Sequence, residues 1–408
     1  MAPDDPLGLA REAKIKKAGV RAVFTPHLPI NTFKLFWGRQ KEIQKLIEHI
    51  NTPGQHALLY GDRGVGKSSL ANVVCELLLS KLISGKFFSK RCDSSDTFQT
   101  VLEEPLRDVG YEPLKKGSST QSSSKGVAGV NLPMVSAKLE ASRQKTEEFD
   151  APSISPSSVA TLLATKDGLL LIDEADAIAS PNDKKKLAEL IKLLSDCGSP
   201  FKILVVGIAE TADSLTGGHP SVQRCLKETK LQRMKGDELG MIIKEGGKKL
   251  GIEFDNEVAQ TIVRLSAGYP HFTHLLALKC AEDAVDSGRK KIDSTHLQRA
   301  MNSAVEDAEG ALRRKYDTAI RSSNTEMYRT VLHAAANIHR VEFSAEVLRT
   351  EVEKLTGKKI TQQSLANYLN RLVAEDGTAV LQRKSKGVYR FTDPRMPSFV
   401  KIVNNDVS

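Results

Sequence analysis

Gly61-Asp62-Arg63-Gly64-Val65-Gly66-Lys67-Ser68 meets the pattern G-x-x-x-x-G-K-[ST] in full. Glycines at these places let the backbone curl so that successive N–H groups face one point. A helix opening at Lys67 adds the positive end of its dipole. Such a cradle holds phosphates. Lys67 would reach the β- and γ-phosphates, the Ser68 hydroxyl would ligate Mg2+, and Ser69 follows in the same turn. Asp173 and Glu174 are the other half of the chemistry. They end the apolar run Leu169-Leu170-Leu171-Ile172, about 105 residues after the loop. An acid there can hold Mg2+ through water, and its neighbour can orient and deprotonate an attacking water. Loop and acids together point to ATP with Mg2+ and to hydrolysis to ADP and phosphate. Asp176 fits a solvated or capping role better than a third catalytic acid.

Strands must carry these groups. His56 to Tyr60 reads as a short buried strand feeding the loop. Ile43, Leu46, Ile47 and Ile50 recur at helical spacing before it, and Pro53-Gly54 stops that helix. A helix from Lys67 to about Ile83 is apolar nearly all round. A strand near Phe87 to Cys92 leads to a helix near Phe98 to Val109. A helix over Asp183 to Leu194 separates two buried strands, Leu169 to Asp173 and Phe201 to Ile208. Strands apolar on both faces, alternating with helices, imply a parallel sheet covered on two sides. Asp173 then lies at a strand's carboxyl end, beside the loop.

Around this core the pattern changes. Residues 1–34 read as an irregular arm ending in the Pro26 and Pro29 turns. Gly117 to Gly126 is low in complexity, and Pro133, Pro152 and Pro156 follow it. The stretch 115–157 therefore reads as a flexible insertion within the core: a solvated linker, or else a segment touching DNA. From Asp237 to about Ala304 the pattern is wholly helical.

The chain has 408 residues and a formal charge of +9, which suits an anionic partner, nucleic acid being the commonest. Its five cysteines include no CxxC pair, which argues against a disulfide framework or zinc site and fits the cytoplasm. Cys75 and Cys280 read as small core residues. The N-terminus lacks the apolar stretch of a signal peptide, and no run is long enough to span a membrane.

Leu35-Phe36-Trp37-Gly38-Arg39-Gln40-Lys41-Glu42 resembles the "hhGRExE" element of AAA+ initiator ATPases and of STAND signalling ATPases. The resemblance implies that Gly38 and Arg39 pack over the adenine. Over about residues 22–400 the order of elements is similar to the origin-recognition-like branch of AAA+ proteins. It implies a first sensor after the strand Phe201 to Ile208, where Glu210 fits by register and Thr211 by chemistry. Arg224 stands where these families place an arginine finger serving a neighbouring subunit, and a surface or structural arginine is the other reading. His219 reads as structural. At Gly268-Tyr269-Pro270-His271, initiators place an arginine as second sensor, whereas this chain offers His271. STAND ATPases carry a plain GxP, which Gly268 to Pro270 matches.

Three helical segments, about Met327 to Ala336, Ser344 to Leu355 and Gln362 to Ala374, precede strands near Val380-Leu381 and Val388 to Phe391. Three helices and a β wing make a winged helix. Its third helix would expose Gln362, Gln363, Asn367, Asn370 and Arg371, turning Leu365, Leu369 and Leu372 inward. The wing carries Arg383, Lys384 and Lys386, and Arg390 follows. Amides could read base edges and the wing could grip phosphates of double-stranded DNA. A protein-docking or autoinhibitory role is the alternative.

The expected architecture is therefore α/β. A three-layer P-loop (AAA+) core with a parallel sheet spans 35–235, after the arm 1–34. A helical lid spans 236–305, and a linker helix with a winged helix spans 306–408. The expected function is an ATP-hydrolysing, DNA-binding switch or assembly factor, joined to a second copy or a partner subunit through Arg224. A STAND-like switch with a protein partner and the ATPase of a mobile-element targeting system are the alternatives.

Overall fold

The runs His56–Gly61 (β1), Lys86–Arg91 (β2), Gly168–Asp173 (β3), Phe201–Ile208 (β4) and Leu226–Lys230 (β5) pair in one parallel sheet, ordered β2-β3-β4-β1-β5. The computed structural model describes residues 7–111, 154–208, 222–307, 310–321, 325–338, 340–373 and 379–404. The period of two sorts the strand residues. Leu59, Leu171 and Val206 face the helices Gln40–Asn51 and Lys67–Lys81. Tyr60, Ile172 and Val205 face the helices Pro156–Leu163 and Pro181–Asp196. Three layers result, as expected for strands apolar on both sides.

Strand β4 lies between β3 and β1. Three readings need correction. The helix expected near 98–109 is two, Phe98–Val101 and Glu103–Asp108. Pro105 has no N–H for the carbonyl of Val101, so the ladder breaks there. Of the insertion 115–157, residues 115–153 lie outside the described residues, while 154–157 belong to the core. Ile154 is buried, and the Ser155 hydroxyl caps the helix Pro156–Leu163 by accepting from Ser158 N at 3.2 Å.

The N-terminal arm is also not irregular in its described part. It forms the helices Leu9–Ala18 and Val20–Val23, broken at the left-handed Gly19. They dock on the helix Pro270–Asp286 through Arg11 to Asp286 (3.1 Å) and Arg21 to Glu282 (2.6 Å). Phe24 is buried edge-on to Phe254 and His274. Gly246 makes room for it, since a Cβ there would lie 2.5 Å from the ring. The arm's apolar stripe is short and interrupted by Gly19, so periodicity did not reveal it.

Four helices follow the sheet: Gly236–Leu250, Asn256–Ser266, Pro270–Asp286 and Ser294–Asp307. Next come Gly310–Ile320, Thr325–Asn337, Ala345–Thr356 and Gln362–Val373. Strand Val388–Phe391 pairs antiparallel with both Phe343–Ser344 and Leu381–Ser385. A last helix, Met396–Val403, was not expected. The Ser398 hydroxyl donates to Ser266 O at 3.1 Å, and Phe399 meets Tyr316 edge-on. One apolar core runs from the sheet through all of these elements. No described helix is long and apolar enough to cross a membrane.

Two histidines are buried as neutral acceptors. His56 Nδ1 accepts from Ile203 N at 3.0 Å, and His274 Nδ1 from Thr25 N at 3.2 Å. Burial pushes them down to about 3 and about 4. The unfolded chain therefore binds protons first as pH falls. Their stabilisation is complete above about pH 6.5 and lost below it, roughly 2 kcal/mol each by pH 5. Urea midpoints should fall steadily between pH 7 and pH 5, before carboxylates titrate. A flat profile would contradict neutral burial.

Candidate functional site

The phosphate loop is bare backbone. Gly61, Gly64 and Gly66 have φ of +148°, +83° and +94°, and Gly66 opens the helix Lys67–Lys81. Lys67 is 8% exposed and donates to Gly61 O (3.0 Å) and Asp62 O (2.8 Å). Burial pulls its pKa down, opposed by the charges of Asp176, Asp173 and Asp62. Around the loop is a cavity of about 470 Å³. Its lining combines Arg63, Lys67, Ser68, Asp173 and Glu174 with the apolar Ile30, Phe36, Trp37, Met234 and Ile242. Phosphate-binding groups and apolar surface in one cavity are what a nucleotide needs. Ser68 and Asp173 place hydroxyl and carboxylate oxygen in it, donors that suit Mg2+.

The two acids are held differently. Asp173 Oδ1 accepts from Glu174 N at 2.9 Å, which turns the carboxylate back over the strand end. Glu174 has φ +55°, a left-handed conformation that a non-glycine residue adopts only when its surroundings impose it. Its carboxylate accepts from Arg91 Nη2 at 2.7 Å. Arg91 is paired in register with Asp173, so β2 and β3 bring the two together. The guanidinium holds Glu174 below the usual carboxylate range, with further lowering from Arg63 and Lys67. Asp176 lines the cavity, and its Oδ1 accepts from Ile208 N at 2.7 Å, fixing the end of β4.

Arg39 lines the cavity but turns its guanidinium to protein. At 3% exposure it donates to Gln232 O (2.6 Å) and Val65 O (3.4 Å), while its own N–H donates to Glu238 (2.9 Å). Gly38 is left-handed and packs against Glu238 and Met234. Ser69 Oγ accepts from Ile30 N at 3.0 Å, tying the arm to the loop's helix. His271 Nδ1 bonds Pro26 O at 2.8 Å, so it faces the cavity while anchoring the arm. Glu210, Thr211 and His219 lie outside the described residues. Arg224 is not brought to the cavity. It precedes β5 at the amino edge of the sheet, exposed and paired with Asp196.

Sequence reasoning missed Arg395. This side chain is 3% exposed, lines the cavity, and is clamped by Asp393 (Nε to Oδ1 3.1 Å, Nη2 to Oδ2 2.9 Å). Its stem lies on the phosphate loop, where a Cβ at Gly64 would come within 2.8 Å of Arg395 Cδ. The only signal was the Asp393-Pro394-Arg395 turn after the wing. Gln362, Gln363, Asn367 and Asn370 are exposed, and Leu365, Leu369 and Leu372 buried, as the helical spacing required. Arg371 is exposed but committed: it donates to Arg321 O and lies 4.7 Å over the Tyr328 ring. Arg383, Lys384 and Lys386 are exposed along the hairpin. Among the described residues no group of three or more His, Cys, Asp and Glu could hold a metal ion.

The model of the family described as Novel STAND NTPase 1 matches residues 30–383. No curated protein matches the chain. Among solved structures it is similar to a Walker-type ATPase of Pyrococcus abyssi, with 18% identity, 92% of this chain and 99% of that one covered, and a TM-score of 0.50. It also resembles the ORC2 protein of Aeropyrum pernix, solved as ADPNP-ADP complexes, with 16% identity, 95% and 97% coverage and a TM-score of 0.49. For the ORC1 protein of Aeropyrum pernix in complex with DNA the values are 15%, 95%, 97% and 0.47.

Arg39 offers a direct check of how the site is held. Arg39→Ala strips buried carbonyls of their donor and should cost about 3 kcal/mol in urea unfolding. Arg39→Lys should recover little, because a lysine cannot present the same fork. Wild-type stability in either variant would remove Arg39 from this role.

Proposed function

Because the chain belongs to the novel STAND NTPase 1 family and carries an intact phosphate loop, we propose that it is a nucleotide-controlled switch. It binds ATP with Mg2+, hydrolyses it slowly to ADP and phosphate, and binds double-stranded DNA. The loop amides and Lys67 hold the β- and γ-phosphates. Ser68 and Asp173 would hold Mg2+, whose charge offsets that of the phosphate oxygens. Glu174 orients a water and takes its proton. The Arg91 contact lowers Glu174's basicity and draws its carboxylate aside, which keeps turnover slow. Thr211 is the better first sensor.

One observation carries the switch reading: the last helical segment lays Arg395 on Gly64 of the phosphate loop. Phosphates arriving there meet an arginine shared with Asp393, so nucleotide state and the position of the C-terminal module are coupled. That module is a winged helix, with Gln362, Gln363 and Asn367 facing bases and Arg383, Lys384 and Lys386 facing phosphates. Arg224, remote from its own loop, would serve a neighbouring subunit's site. Five free cysteines suit a cytoplasmic setting. The alternative output is a protein partner. It is favoured by Arg371, which is spent within the module and not offered to a base.

Lys67→Ala should abolish ATP binding. Glu174→Gln should bind ATP as the wild type does, with kcat reduced about 100-fold or more, the usual share of a general base. Arg91→Ala should raise kcat several-fold by releasing Glu174, roughly the effect of a lost charged hydrogen bond. Unchanged turnover in Glu174→Gln would remove it as the base. DNA binding is read separately, from duplex titrations with ADP and with a non-hydrolysable ATP analogue across a salt series. Changing Arg383, Lys384 and Lys386 to Ala should lower the log–log salt slope by about 0.9 per lost contact. Binding indifferent to nucleotide and wing would sink the DNA reading and leave the protein-partner switch.

A further inference from the structure

The N-terminal arm is tied to two different parts of the chain, with the nucleotide cavity between its ties. Its helices dock on the helix Pro270–Asp286 through Arg11 and Arg21. Its far end is bonded to the helix Lys67–Lys81. There Ile30 N donates to Ser69 Oγ at 3.0 Å, Asn72 Nδ2 to Asn31 Oδ1 at 2.7 Å, and Phe33 N to Glu76 Oε2 at 2.6 Å. Residues 25–30, which join these ties, line the cavity together with the phosphate loop. A molecule held on the loop therefore has the arm as a second wall.

The middle of this span is poor in backbone donors. Pro26 and Pro29 have no N–H, so their backbone offers only carbonyls. His271 takes one of them: its Nδ1 lies 2.8 Å from Pro26 O. A carbonyl only accepts, so Nδ1 carries the proton and donates it. One turn along the same helix, His274 Nδ1 accepts from Thr25 N at 3.2 Å. Two histidines thus hold consecutive residues of the arm with opposite polarity. His271 is half-buried, its ring edge-on to His27 at 6.2 Å and to Phe272 at 5.2 Å. It follows Pro270, the neighbour that a Cβ at Gly66 would meet at 3.6 Å. The arm is therefore bonded to the helical turn that packs on the phosphate loop.

We propose that His271 is a positioning residue that latches the arm along the nucleotide cavity and so sets how fast bound nucleotide leaves. This rests on the reading of the cavity as a site for ATP and ADP. Where the sequence offered His271 as a phosphate sensor, its Nδ1 is committed to the arm instead. Breaking that bond loosens residues 26–29 between the ties at Thr25 and Ile30, and the wall can open without unfolding either helix. The effect falls on release and not on the hydrolytic groups, which the bond does not involve.

The measurement is release of a fluorescent ADP analogue from the full chain, chased with excess ADP. His271→Ala should speed release roughly fivefold, the worth of one neutral hydrogen bond. His271→Asn should restore the wild-type rate, because its amide N–H stands about where Nδ1–H does. Glu76→Ala frees Phe33 N at the far tie, lies outside the cavity, and should act in the same direction as His271→Ala. Hydrogen exchange of the ligand-free chain reads the latch itself: the arm peptide over 25–33 should exchange faster in His271→Ala. Unchanged release in His271→Ala, or in Glu76→Ala should the first variant not fold, overturns the proposal. So does acceleration that His271→Asn fails to reverse, which would assign the effect to ring packing against His27 and Phe272. A wild-type chain that binds no ADP analogue would overturn the reading of the cavity and this role with it, whereas binding with unchanged release would overturn the latch alone.

Discussion

The phosphate loop has no side chains at three of its turns, and the rest of the molecule is built against that bare backbone. A Cβ at Gly61 would lie 2.4 Å from Leu231 O, and one at Gly64 would lie 2.8 Å from Arg395 Cδ. At Gly66 the nearest neighbour is Pro270, at 3.6 Å. Each glycine thus faces a different part of the chain: the segment after β5, the C-terminal turn, and the first turn of the helix Pro270–Asp286. Left-handed φ values are needed to aim the amides, and the same absence of side chains lets three remote segments touch the site. Binding geometry and assembly are one constraint here.

Arg39 and the continuous core extend that constraint. One buried guanidinium bridges the loop (Val65 O) and the segment after β5 (Gln232 O), while the backbone N–H of Arg39 reaches the first helix beyond it through Glu238. The apolar cluster below runs without a break from Leu59 and Leu171 to Phe399 and Val400. Moving the C-terminal module away from the loop would expose Met396 and Phe399 and break the Ser398–Ser266 bond. A ligand can drive such a change only by as much as it prefers one arrangement over the other. The docked state is therefore well defended.

What was legible in the sequence was whatever depended on local spacing. The glycines and Lys67, the acids at the end of β3, and the inward leucines of the helix Gln362–Val373 all stand where periodicity placed them. What depended on distant partners was not legible. Nothing in β3 announces that β4 inserts between it and β1. The arm's helices are held by charges some 260 to 275 residues away, Arg21 to Glu282 and Arg11 to Asp286, which no window can reveal. Arg395 is the telling case. In sequence it is one basic residue after a turn, and only the docking of the last helix makes it part of the nucleotide cavity.

The net charge of +9 carries a related lesson. A basic balance suggests an anionic partner, yet many cations are used inside the protein. Lys202 donates to Thr52 O at 2.9 Å, Lys67 to Gly61 O and Asp62 O, and Arg39 to Gln232 O and Val65 O. Arg395 is spent on Asp393, and Arg371 on Arg321 O and the Tyr328 ring. These groups satisfy carbonyls and acids that would otherwise be buried without partners. Others, such as Arg383, Lys384 and Lys386 on the hairpin, keep exposed side chains. A net charge counts both kinds alike, whereas only the exposed ones can meet an anionic partner.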